Sequence, residues 1–206
     1  MLRALNKTAA AVALTCLMPL AATADVLGFD DLTGRNFFQA PYQGFTFGVA
    51  AQGPGGSWFH SDVPDAGLSF YRSPLTSVST ESAFDDAGNP ISVYGDSLPV
   101  TLSTPVVLQG AWFQSFDDQI SVRFKLSYQG AEVHASDYLV MNYGDAPAFL
   151  STGYTGAVDS FVIEGYHGYF AMDDVMFQPV PEPSTYAMMF LGLAAMGIYS
   201  ARQRQH

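Results

Sequence analysis

From residue 120 to residue 128 the chain reads Ile-Ser-Val-Arg-Phe-Lys-Leu-Ser-Tyr, apolar and polar side chains in strict alternation. Successive side chains on an extended strand point to opposite faces, so this spacing sets one face in a core and the other in water. Gln129-Gly130 follows as a two-residue turn into a second run at 131–140, and the two runs predict a hairpin. Further strands are expected at 26–32, 44–49, 68–71, 77–84, 91–94, 106–113, 158–164 and 168–177. Breakers such as Gln52-Gly53-Pro54-Gly55-Gly56 and Asp86-Ala87-Gly88-Asn89-Pro90 stand between them. No long apolar stripe of period 3.6 interrupts this pattern, and no repeat of solenoid or propeller length is visible. The expected fold is therefore all-β, an antiparallel β-sandwich or jelly roll built from residues 25–178, a length sufficient for one domain with its own core.

Both ends of the chain read differently. Arg3 and Lys7 precede an apolar run at 9–20, and Ala22-Thr23-Ala24 supplies the small residues that a signal peptidase needs. Residues 1–24 are thus expected to be a cleavable export signal, with Ala22 and Ala24 at the cleavage site and Asp25 as the new N-terminus. Cys16 sits within the apolar run after Ala13-Leu14-Thr15, which lacks the small residue that precedes a lipidated cysteine. Because Cys16 is the single cysteine, its removal leaves no disulfide, thiol nucleophile or thiolate metal site.

At the other end, residues 184–201 contain no charged residue, His, Asn or Gln over 18 positions. As one helix they reach roughly 27 Å, enough for a thin bilayer core. This predicts a single C-terminal transmembrane helix, with Arg202 and Arg204 as the cytoplasmic stop. Before it stands Val180-Pro181-Glu182-Pro183-Ser184, where two prolines flanking Glu182 forbid helix and favour an extended segment. Motif, short hydrophobic helix and basic end, in that order over residues 179–206, resemble the PEP-CTERM sorting signal of Gram-negative, biofilm-forming bacteria. The resemblance implies recognition at Pro181, Glu182 and Pro183 by an exosortase, a membrane-embedded cysteine transpeptidase. It also implies passage from a transient hold at the inner membrane to the envelope or extracellular matrix.

A second resemblance rests on Phe29-Asp30-Asp31-Leu32, Tyr128-Gln129-Gly130-Ala131-Glu132-Val133, and Val158 to Ile163 followed by Phe170-Ala171-Met172-Asp173-Asp174-Val175. Their order is similar to that in PEP-CTERM proteins with a galactose-binding-like jelly roll. It implies a non-catalytic carbohydrate-binding or adhesive module.

Of the 8 Lys and Arg, four lie in the two ends, whereas all 19 Asp and Glu lie between Asp25 and Glu182, which leaves that stretch at −15. Such a field repels nucleic acid and anionic headgroups and favours cations or neutral ligands. Asp30, Asp31, Asp173 and Asp174 fall in matching contexts on the expected first and last strands. Should those strands be neighbours, a carboxylate from each is a candidate calcium ligand; the alternative is that they end strands and accept turn hydrogen bonds. Tyr42 and Trp58, in segments that read as loops, are candidates for stacking on a sugar ring, with Trp58 as a core residue the alternative. Trp112 is expected in the core. His60 pairs with Asp62 as a ligand candidate or sits in a surface loop.

No Gly-x-Ser-x-Gly, His-Glu-x-x-His or phosphate-loop motif occurs, so catalysis is not expected. Paired carboxylates leave a glycoside hydrolase as one alternative, and a structural matrix protein without a defined ligand as another. The expected partners are exosortase, signal peptidase, the inner membrane and extracellular polysaccharide.

Overall fold

A computed structural model of the chain describes residues 24–49, 57–62, 76–80, 83–84, 90–91, 95–116, 118–166, 169–180 and 190–197. Its strands are β1 (Asp25–Leu27), β2 (Asn36–Phe37), β3 (Phe45–Phe47), β4 (Trp58–Ser61), β5 (Ser77–Thr80), β6 (Ala83–Phe84), β7 (Pro90–Ile91) and β8 (Gly95–Asp96). The longer β9 (Val100–Ser115) and β10 (Gln119–Tyr128) follow, then β11 (Ala131–Ala135), β12 (Leu139–Asn142), β13 (Ala148–Ser151), β14 (Val158–Tyr166) and β15 (Phe170–Pro179).

Among the described residues thirteen strands share one hydrogen-bonded network in the order β11-β10-β14-β9-β15-β5-β4-β2. Strand β1 lies beside β15, β3 and β13 beside β9, β8 beside β14, and β12 beside β10. Every pairing is antiparallel. The all-β, antiparallel expectation is met.

The alternating segment behaves as its spacing requires: Ile120, Val122, Phe124 and Leu126 of β10 are all buried, with Ser121, Arg123 and Lys125 between them on the other face. The turn after it has positive φ at both Gln129 and Gly130, the conformation that matches a two-residue turn to strand twist. The run expected at 131–140 is broken in two. Ser136 causes the break: its Oγ accepts the Phe124 N–H at 3.0 Å and its own N–H donates to the Phe124 carbonyl at 2.9 Å. Strands β11 and β12 thus pair with successive parts of β10.

Strand β9 runs through Pro105, which lies in the irregular stretch where β14 pairs Val158 with Val106 and Ser160 with Thr101. A bulge is the place where a strand tolerates a proline. Across that bend β9 serves both parts of the sheet, pairing with β3 and β14 through its first half and with β15 and β13 through its second.

Side chains from separate strands of the network meet in one apolar cluster. Phe113 of β9 meets Phe124 of β10 edge to face at 5.6 Å, although β14 separates their strands. The joint interior holds Leu108, Phe113, Phe124, Leu126, Phe161, Ile163, Met172 and Val175. Each such side chain contributes about 1.5–3 kcal/mol by leaving water.

Among the described residues no helix is long and apolar enough to cross a membrane. The helix seen in the tail covers residues 190–197, about 12 Å at the usual rise, and lies inside the expected span at 184–201. The expected membrane-crossing helix is thus not seen among the described residues, and the rest of the span at 184–201 lies outside them. Residues 1–23, including Ala22, lie outside the described residues, as do the expected strand at 68–71, the motif Pro181-Glu182-Pro183, Arg202 and Arg204. Ala24 is described, exposed just before β1.

Candidate functional site

Trp58 takes the core alternative, whereas Trp112, expected in the core, is only half-buried. Trp58 belongs to no loop: it opens β4, whose residues alternate between the interior and a half-buried face, and it is 0% exposed. Phe47 and Phe170 flank its ring at 5.8 and 6.1 Å, and its indole N–H donates to the Leu98 carbonyl at 2.8 Å. With every face enclosed, Trp58 has no surface for a sugar, and the sugar-stacking assignment is corrected to a core role. His60, two residues on, faces the same interior with its ring edge on Phe38 at 5.5 Å. It is not a surface-loop residue; its Nδ1 has no hydrogen-bond partner among the described residues.

Trp112, by contrast, is half-buried on the open face of β9. One of the two irregularities in the β9–β15 ladder explains this. Phe177 pairs with Leu108 and Met176 with Gly110, which leaves Gln109 as an extra residue on β9. The inward positions therefore shift from Val106 and Leu108 to Ala111 and Phe113, and Trp112 turns outward. In register Trp112 stands between Asp173 of β15 and Phe149 of β13. The Trp112 and Phe149 rings lie 5.6 Å apart, and Phe149 is 36% exposed, with exposed Ser151 two positions further along β13. Gly110 makes this packing possible: a Cβ there would come within 2.7 Å of Phe149 Cζ and 2.2 Å of the Leu150 carbonyl oxygen.

The first and last strands are neighbours, as the acid pairs required. Strand β1 pairs with β15 through Asp25 with Phe177, Val26 with Met176 and Leu27 with Val175. A Cβ on Gly28 would lie 3.7 Å from Asp174 Oδ1 and 4.0 Å from Asp30 Oδ2, so those two carboxylates border one gap. The other two are turned to the fold. Asp173 is buried and accepts the Asp174 N–H at 2.8 Å, with Asp174 itself at φ 46°. Asp31 takes the Tyr42 hydroxyl, which also lies 3.0 Å from the Gly28 carbonyl and accepts from the Gln43 amide at 3.0 Å. Tyr42 stacks on buried Phe29. Partial burial, and then the Asp31 carboxylate, push its phenol well above the ordinary range. Tyr42 is held as a strut between a turn and β1 rather than presented as a stacking surface. Among the described residues no three His, Cys, Asp or Glu side chains are grouped to hold a metal ion.

A further cluster carries no motif in the sequence. On the open face of β10 and β14, Arg123 stands opposite Glu164 in register and pairs with it through Nε. Tyr138 donates its hydroxyl to Glu164 Oε2 at 2.8 Å while the Arg123 guanidinium lies over the Tyr138 ring at 4.6 Å. Lys125 Nζ stands 4.0 Å from the other carboxylate oxygen. Burial raises the Glu164 carboxyl, but Tyr138, Arg123 and Lys125 together outweigh it and hold the group below its ordinary value. The separation of 41 residues between Arg123 and Glu164 hides this pair from any local reading.

Sheet and tail meet without an intervening segment. Strand β15 ends at Pro179, paired with Val106, and Val180 alone precedes Pro181. The chain is thus an all-β domain carried directly on a C-terminal processing segment. Residues 179–205 match the family described as the PEP-CTERM protein-sorting motif. That motif implies export, sorting to the envelope or extracellular space, and an exosortase as processing partner. A comparison with curated proteins finds no match for this chain.

Proposed function

We propose that this exosortase-sorted protein displays a sheet domain that binds extracellular polysaccharide without cleaving it. In this reading signal peptidase removes residues 1–24, the tail holds the domain at the inner membrane, and the exosortase passes it to the envelope or biofilm matrix. The galactose-binding-like resemblance agrees with the all-β fold and supplies the expectation of sugar binding.

One observation supports that expectation most: the Trp112–Phe149 pair on the open face of β9 and β13, with the Ser151 hydroxyl beside it. An aromatic platform with a hydroxyl at its rim suits the apolar face and hydroxyls of a sugar ring. The −15 charge of the surrounding stretch selects for a neutral glycan over an anionic one. Asp31 and Asp173 are occupied by internal hydrogen bonds. Asp30 and Asp174, which border one gap, are then the pair left for a calcium ion, which would draw its other oxygens from backbone carbonyls and water; the sugar-binding reading does not depend on that ion.

The test is binding of the mature domain to a panel of neutral and acidic polysaccharides, followed by reducing-end analysis. Wild type is expected to bind a neutral polymer saturably. Trp112→Ala with Phe149→Ala is expected to abolish binding while leaving the melting temperature within a few degrees. Released reducing ends would establish the glycoside hydrolase alternative, and wild-type failure across the panel would leave the structural matrix role.

A further inference from the structure

We infer that the sheet clamps the C-terminal strand so close to the sorting motif that exosortase processing waits on fraying of the end of β15. The inference rests on the reading of the tail as an exosortase substrate. Strand β15 is paired with β9 through Phe177–Leu108, Gln178–Val107 and Pro179–Val106, and with β1 through Phe177–Asp25 and Met176–Val26. Only Val180 separates the last rung from Pro181. At most about 3.5 Å is gained per extended residue, so Glu182 lies within roughly 10 Å of Pro179. A proteolytic cleft that receives its substrate as an extended strand needs backbone on both sides of the recognised residue. Four residues before Glu182 already reach Gln178, inside the ladder.

The last rungs are unequal. Pro179 has no N–H to donate, and it is exposed. Phe177 is different: it is paired on both sides and its ring meets buried Phe45 at 5.1 Å. Fraying therefore begins at Pro179, and Phe177, held on both sides, resists it most. The Phe177–Phe45 contact sets how much of the strand is released to the enzyme, and local opening of this kind governs access when it is fast relative to cleavage.

Pulse-chase of the full chain in cells carrying an exosortase tests the coupling. An eight-residue Gly-Ser insertion between Val180 and Pro181 is expected to speed conversion by roughly tenfold, since it supplies extended backbone without opening the sheet. Phe177→Ala is expected to speed the native-length protein and to add nothing in the insertion variant. Equal rates for native and insertion chains, both still dependent on Pro181, Glu182 and Pro183, would overturn the clamp while leaving the sorting reading intact. Conversion indifferent to substitution of those three residues would overturn both.

Discussion

Trp58 and Trp112 are the same side chain in strands of one sheet, and the sheet uses them in opposite ways. Trp58 sits on a short strand of regular alternation, and partners distant in sequence, Phe47 and Phe170, enclose it on the inward face. Trp112 sits beyond the extra residue Gln109, so the same alternation that buried Leu108 is shifted and the indole faces out beside Phe149. Whether an aromatic residue is core or platform is decided here by one inserted backbone position, not by the hydrophobicity of the segment.

The sharpest way to test this contrast is truncation. Trp58→Ala removes a fully enclosed ring and leaves the Leu98 carbonyl without its indole donor. It is expected to cost about 4 kcal/mol in denaturant unfolding, whereas Trp112→Ala is expected to cost under about 1 kcal/mol. Equal losses at the two positions would dissolve the distinction. Gly110→Ala attacks the bulge itself. Its methyl meets the Leu150 carbonyl oxygen at 2.2 Å, backbone that cannot move without parting β13 from β9. A loss of at least about 3 kcal/mol is expected, together with a changed near-ultraviolet signal from Trp112.

The open face of β10 and β14 offers a second comparison, because there the polar groups satisfy one another around Glu164. The Glu164 carboxyl is held below its ordinary value of 4.5. The folded state therefore binds fewer protons than the unfolded state just below that pH, and its contribution is complete above 4.5 and lost as pH falls through the depressed value. Glu164→Gln is expected to lower stability at neutral pH by about 1–3 kcal/mol and to flatten the acid limb of a stability profile; an unchanged acid limb would count against the network. The smallest expected effect is that of calcium. Millimolar calcium or chelator should leave the melting temperature of the mature domain the same, and a calcium-dependent rise would establish Asp30 and Asp174 as ligands.

The hairpin at 120–135 was legible because its alternation and its Gln129-Gly130 turn are both local. The adjacency of β1 and β15 entered the sequence reading only as a condition on the Asp-Asp pairs, because a pairing between the two ends of a domain has no local signal. Other features depend on partners distant in sequence. Strand β4 is four residues long and follows a glycine-rich stretch, so nothing local announces that Trp58 and His60 face inward. The bulge at Gln109 is marked in the sequence only by Gln109-Gly110 within the apolar run 106–113, and a lone glycine in a strand does not say which way the residues after it will face. The Glu164 cluster gathers residues from two strands and from Tyr138 just before β12, and Ser136 breaks its strand only because Phe124 is there to receive it. The sorting motif, by contrast, was legible as a linear signal, because an enzyme that reads extended chain needs no tertiary structure to define it.

The neighbouring positions of β1, β15 and β9 have a mechanical consequence. A pull on the protein through Pro179 enters the sheet along β15, whose hydrogen bonds to β9 and β1 run across the direction of load. They are stressed in shear, many at once, rather than opened one by one from an end. A polymer held at Trp112 would grip the strand directly beside β15, so tension between anchor and ligand would pass through a single ladder. If the domain holds a polymer as proposed, this arrangement lets it bear tension without opening from an end.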